Sequence, residues 1–218
     1  MKLLAIETAT DACSVALAIG GETRQRHEVA PRRHTELLLP MVRELCAEAG
    51  VSMAALDAIA IGVGPGAFTG VRVATAVAQG LAFAQDLPVV PVSTLAALAQ
   101  GGYRLGGGHD WLATLDARRG ELYWAHYRID AGLAVALTPE QVTAPGAVEL
   151  PVATDWRPAG TGWPAYAPAM AGQWPGFPVP AALLPEARDV ATLGAALLAA
   201  GRAITAAEVA PTYLRGPL

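Results

Sequence analysis

Hydrophobic positions fall into blocks along the chain, and the period changes from block to block. Leu3 to Thr8 is a short apolar run that ends in the polar cluster Thr8-Ala9-Thr10-Asp11. Val15, Leu17 and Ile19 then alternate with small residues, and Gly20-Gly21 is a two-residue hairpin turn. Glu22 to Val29 is polar enough for an exposed strand that closes a three-stranded meander. Pro31 marks a break, and the spacing turns helical near His34. Leu38, Met41, Val42, Leu45 and Ala49 recur at three and four, with Gly50 as the C-terminal cap. A buried strand is expected over Asp57–Val63, followed by a Gly-Pro-Gly turn and a helix from about Thr69 to Gln85. Pro88–Val92 reads as another strand and Thr94–Gln100 as a third helix. A meander that feeds strand–helix–strand crossovers implies a mixed α/β sheet with helices against it.

The Gly-rich stretch Gly101 to Gly108 reads as a domain junction. It divides an N-terminal lobe, residues 1–104, from a smaller C-terminal lobe, residues 105–218. In the second lobe, Trp111–Leu115 and Leu122–Ile129 read as strands. Pro139 to Pro185 holds ten of the 17 prolines and three of the five tryptophans, which forbids long helices and interior strands. A last helix, about Val190 to Ala200, is expected to pack back on the first lobe.

Composition narrows the class. Charged residues make up 16% of the chain and hydrophobic ones 53%, so neither disorder nor a coiled coil describes the whole. The longest apolar run, Val190 to Gly201, has 12 residues, short of the roughly 20 that cross a bilayer. A formal net charge of −4 argues against a chain that grips nucleic acid by itself. Cys13 and Cys46 lie in apolar stretches with no disulfide or zinc spacing, and are expected as buried thiols. Only four apolar residues precede Glu7, too few for a secretory signal, so a cytoplasmic protein is expected.

The most distinctive segment is Gly62-Val-Gly-Pro-Gly-Ala-Phe-Thr-Gly-Val-Arg72. It follows a strand and opens a helix, where backbone N–H groups can bind an anion. Gly64, Gly66, Thr69 and Arg72 are the candidate residues for such a loop. The alternative is structural: the glycines allow a tight turn, Thr69 caps the helix and Gly70 permits close packing. Gly70, Ala74, Ala78 and Ala82 form a row of small residues at every fourth position. Such a row lets another helix approach closely, and it is read either as packing on the protein's own sheet or as an interface with a second subunit. Ser14, Ser52 and Ser93 sit in no nucleophile elbow, and His27, His34, His109 and His126 have no metal-ligand spacing. Asp116-Ala-Arg-Arg-Gly-Glu121 is a charged turn, either a solvated hairpin tip or a contact surface.

Ile6-Glu-Thr-Ala-Thr-Asp11, Gly64-Pro-Gly-Ala-Phe-Thr-Gly-Val-Arg72 and Pro211-Thr-Tyr-Leu-Arg215 fall in one order that resembles the TsaB (YeaZ-type) family. Pro91-Val-Ser-Thr-Leu-Ala96, Asp116-Ala-Arg118 with Glu121 and Tyr123, and Gly160-Thr-Gly162 extend the likeness nearly end to end. These are bacterial subunits of the machinery that makes threonylcarbamoyladenosine beside the tRNA anticodon. The resemblance implies an actin/Hsp70/sugar-kinase-like fold of two ribonuclease H-like lobes with mixed β-sheets. It also implies that the first hairpin turn, with Glu7, Thr8, Thr10 and Asp11, is a vestigial nucleotide or phosphate turn. Ala9 stands there where many relatives have Gly. The catalytic relative TsaD holds a metal through two histidines whose positions correspond here to Thr94 and Leu98, and neither can replace imidazole. A non-catalytic scaffold subunit follows, with no cofactor of its own beyond weak ATP and magnesium binding. Pairing with TsaD is implied through His34, Leu37, Leu38, Met41 and Leu45 of one helix and Gly70, Ala74, Ala78 and Ala82 of the other. The ATPase TsaE completes the assembly, tRNA is engaged only within it, and the chain alone homodimerises through the same surface. On that reading Ala78→Arg or Leu38→Glu abolishes pairing and spares the fold. The competing reading is a nucleotide-dependent transferase or kinase using the Thr8–Ser14 turn, with Glu7 or Asp11 on magnesium.

Overall fold

Strand β1 (Lys2–Glu7) is buried on both faces, which is why Leu3 to Ile6 at its centre are apolar without a break. Leu4 and Ile6 point to one side of the sheet and Leu3 and Ala5 to the other. The computed structural model describes residues 1–149, 156–173 and 182–215. The Pro- and Trp-rich segment therefore lies outside the described residues at 150–155 and 174–181. β2 (Ala12–Ile19) and β3 (Glu22–Val29) complete an antiparallel meander on β1, as the alternation and the Gly20-Gly21 turn predict. α1 (His34–Ala49) ends at Gly50, whose left-handed backbone (φ 64°) caps the helix. β4 (Ala58–Gly62), α2 (Phe68–Gln85) and β5 (Val89–Val92) follow, with β4 parallel to β1 and β5 parallel to β4. The sheet order is β3-β2-β1-β4-β5.

The two faces of this sheet are packed differently. α1 and α2 bury Leu38, Met41, Leu45, Ala74 and Ala78 against Leu4, Ile6, Val15 and Ile59. On the opposite face, Ala5, Ala16, Ala58 and Ala60 make a low surface that receives α6 (Ala187–Ala199) through Val190, Ala191 and Leu193. The last helix thus starts three residues before the position that its apolar run indicates, at Ala187 instead of Val190.

α3 (Thr94–Gly106) leads into the second sheet. The glycine stretch after Gln100 is helical as far as Gly106, which corrects its reading as a spacer. Gly102 lies where a Cβ would come within 2.5 Å of the Trp111 ring, so this glycine serves close packing of helix on strand. β6 (Asp110–Arg118) and β7 (Glu121–Asp130) are each longer than their apolar cores. β8 (Leu133–Ala136), β9 (Gln141–Thr143) and β10 (Arg157–Gly160) went unread in the sequence, being short and weakly patterned. β10 carries Pro158 but is an edge strand, where a missing N–H is tolerated. The order β8-β7-β6-β10 repeats four strands of the first lobe's arrangement, antiparallel across β8-β7-β6 and parallel at β10. α3 covers one face of this sheet with Leu95 and Leu98. α4 (Gly162–Ala165) and α5 (Ala167–Gln173) cover the other, around Trp124 and Trp163.

Candidate functional site

Between the lobes lies a cavity of about 1000 Å³. It is walled by the β1–β2 turn, the start of α2, the β6–β7 turn and the tail Thr212–Arg215. Two residues of the candidate phosphate turn, Glu7 and Thr8, point away from it. Glu7 is fully buried, and its Oε1 accepts a hydrogen bond from the Ala9 N–H at 2.6 Å while Oε2 accepts one from the Thr94 hydroxyl at 3.1 Å. Burial pushes its carboxyl up to about 7. The Thr8 hydroxyl donates to the Gly70 carbonyl at 2.7 Å. Of the four turn residues, Thr10 and Asp11 line the cavity.

The glycine loop is also turned to internal use. The Ala67 N–H donates to the Ala9 carbonyl at 2.7 Å, and a Cβ at Gly66 would meet that same carbonyl. A Cβ at Gly70 would collide with the Thr8 carbonyl. The Gly64 carbonyl accepts from the Thr94 N–H at 2.9 Å, tying the loop to α3. Gly66 and Gly70 thus let the β1–β2 turn come close to the loop and α2, and Gly64 lets the Thr212 carbonyl of the tail approach the loop. Thr69 is exposed and caps nothing; the position before the helix is Ala67, without a side-chain cap. Arg72 stands apart from the loop, its guanidinium 3.1 Å from the centre of the Phe68 ring and 5.1 Å from that of Tyr213. Across the cavity, Arg118 pairs with Asp116 at 3.1 Å and Arg215 with Glu121. Among the described residues, no group of histidines, cysteines and carboxylates is arranged to hold a metal ion, and no helix is long and apolar enough to cross a membrane. Thr94 and Leu98 are both fully buried in α3.

The residues expected at a subunit interface need correction. Leu38, Met41, Leu45, Ala74, Ala78 and Ala82 belong to the core between α1, α2 and the sheet, and the three alanines have no exposed surface. His34 is buried, with Nε2 2.8 Å from the Thr10 carbonyl. Gly70 is buried against Thr8, and Leu37 is half-buried at the margin. The four-residue row therefore faces the protein's own sheet. A second row, two positions on, faces outward: Ala76, Gly80 and Ala84 are exposed, with Val73, Val77 and Leu81 half-buried beside them. Phe83 is 84% exposed and Leu39 of α1 44%. Leu39, Arg43 and Leu81 line a shallow apolar groove between the two helices. Spacing revealed the small row but could not choose between two rows of small residues on a helix that is apolar over more than one stripe.

Two sheets of ribonuclease H-like order on either side of a cleft define the actin/Hsp70/sugar-kinase-like class. The model of the family TsaD, tRNA N6-adenosine threonylcarbamoyltransferase, matches residues 25–207. The chain is 40% identical to the tRNA threonylcarbamoyladenosine biosynthesis protein TsaB of Escherichia coli (strain K12), over 99% of this chain and 95% of that one. It is 39% identical to the protein of the same name from Haemophilus influenzae, over 99% and 94%. The solved structure of YeaZ from Pseudomonas aeruginosa superposes with a TM-score of 0.92 at 47% identity, covering 98% of this chain and 99% of that one. The chain belongs to the TsaB (YeaZ) family.

Proposed function

We propose that the protein acts in tRNA threonylcarbamoyladenosine biosynthesis as a non-catalytic subunit, pairing with TsaD through the outer faces of α1 and α2. One observation carries this reading: two adjacent helices present Phe83, Leu39, Val77, Leu81 and an exposed row of small residues to solvent. An apolar surface of this kind is a liability on a lone chain and marks a protein interface. Small residues let a partner's helix come close, and burial of about 800 Å² per partner suffices for a specific complex. TsaE joins the assembled pair, and tRNA is bound by the assembly. Without TsaD, a second copy of the chain covers the same face.

The inward-turned Glu7 and Thr8, and the glycine loop spent on the Ala9 carbonyl, support a subunit without nucleotide chemistry at that turn. Isothermal titration of the isolated chain with ATP and magnesium is expected to give weak or no heat. Pairing is tested by size-exclusion chromatography with light scattering on the chain mixed with TsaD of the same organism. The wild type elutes as a 1:1 complex, and Gly80→Arg elutes separately with an unchanged melting curve. Co-elution of Gly80→Arg would sink the surface, and a wild type that never pairs would sink the function.

A further inference from the structure

Arg72 closes the most distinctive motif of the chain, yet neither the glycine loop nor the helix face uses it. Its guanidinium lies over the Phe68 ring and beside Tyr213, at the cavity wall. Stacking occupies the face of a guanidinium and leaves its in-plane N–H groups free for a phosphate. Both rings keep surface in solvent, 65% for Phe68 and 51% for Tyr213, and stand 6.1 Å apart. Arginines outnumber carboxylates four to two in the cavity lining, in a chain whose net charge is −4. Arg118 and Arg215 are committed to ion pairs, whereas Arg72 and Arg119 have no ion-pair partner among the described residues.

We propose that this cleft mouth receives a single-stranded segment of RNA, with a base stacked on Phe68 and Tyr213 and a phosphodiester held by Arg72 and Arg119. Exposed rings beside free arginines are the arrangement that binds unpaired nucleotides, because every base has a π-face and every linkage a charge. Two arginines cannot hold RNA unaided, so the site adds to the grip of an assembly. The inference therefore rests on the reading that the protein works on tRNA with a partner subunit.

The test uses full-length chain in complex with TsaD and an unmodified tRNA transcript, followed by fluorescence anisotropy across a salt series. The double variant Arg72→Ala/Arg119→Ala is expected to lose about tenfold in affinity and to flatten the salt dependence by one to two contacts. Tyr213→Ala loses about fivefold with the salt dependence unchanged, since a stack carries no counterion. Arg72→Lys keeps the salt dependence and loses part of the affinity. A double variant that still pairs with TsaD and binds tRNA like the wild type overturns the site and leaves the proposed function standing. Affinity that is lost for free AMP but retained for tRNA overturns it in favour of a mononucleotide pocket. A wild-type complex that binds no tRNA overturns both.

Discussion

Two buried titratable side chains act on stability in opposite directions. Among the described residues Glu7 has no charged partner; the Ala9 N–H and the Thr94 hydroxyl hydrogen-bond it, and burial raises its carboxyl from 4.5 to about 7. The folded state therefore keeps a proton that the unfolded chain has lost, and the contribution of Glu7 is full below pH 4.5 and gone above about 7. His126 is the reverse. It lies between the rings of Trp124 and Trp156, at 5.3 and 4.7 Å, and neither ring nitrogen has a hydrogen-bond partner among the described residues. Burial lowers its pKa from 6.5, so the unfolded chain takes up the proton first and stability falls as the pH drops below 6.5. Between these limits the two slopes oppose each other. Urea melts from pH 5 to 8 are expected to show stability rising with pH in Glu7→Gln, which at pH 8 exceeds the wild type by up to about 3 kcal/mol. In His126→Phe the slope should turn the other way. A wild-type profile unchanged by Glu7→Gln would refute the account of that carboxyl.

At the level of the element, α2 carries two faces written in nearly the same residues. Ala78 has no exposed surface and packs on the sheet, whereas Gly80, two positions along, has open space where a Cβ would stand. A charged side chain at 78 must enter the core, so Ala78→Arg is expected to unfold the protein instead of merely dissociating it, at a cost of several kcal/mol. Leu38→Glu fails for the same reason. Circular dichroism melts separate the two positions: Gly80→Arg melts like the wild type, and Ala78→Arg shows no cooperative transition. The outcome to watch for is a folded Ala78→Arg, which would return the first row to the surface. α3 offers a parallel case, since Gly102→Ala drives a methyl into the Trp111 ring and should lower the melting temperature by several degrees. These positions explain what the sequence could and could not reveal. Period, turn glycines and caps located β1 to β5, α1 and α2 within a few residues, because each local signal agrees with the sheet. They could not tell an outer row from an inner one where both are small and apolar. Nor could they tell a glycine that frees the chain, as in a spacer, from one that seats a tryptophan.

The tail Pro211–Arg215 relates the two lobes to each other. The Val209 carbonyl accepts from the Gln79 amide at 2.9 Å, and the Thr212 N–H donates to the Val63 carbonyl at 2.8 Å, so the segment is fastened first to the N-terminal lobe. It then crosses the cleft, and Arg215 reaches the Ala117 carbonyl at 3.4 Å and the Glu121 carboxylate on the β6–β7 turn. Elsewhere the lobes meet through α6, whose cluster on the first sheet also takes in Leu133 and Ala134 of β8, and through α3, capped by the Ser93 hydroxyl, which also touches Tyr127 and Glu140 of the second lobe. Helices α3 and α6 on one side and a strap on the other fix the cleft width. That motif was legible as a string of residues but not as a strap, because its partners lie about a hundred positions away. The ion pair at Arg215 is partly exposed and contributes ~1 kcal/mol or less. Arg215→Ala should therefore leave global stability almost unchanged while releasing one end of the strap. Hydrogen exchange is expected to quicken at Ala117–Glu121 and at Thr212–Leu214, with β1 and β4 unaffected. Thr212→Pro, which removes the donor to Val63, should quicken the tail and leave the β6–β7 turn slower to respond. Were both variants to exchange like the wild type at the turn and the tail alike, the cleft would be held by α3 and α6 without the strap.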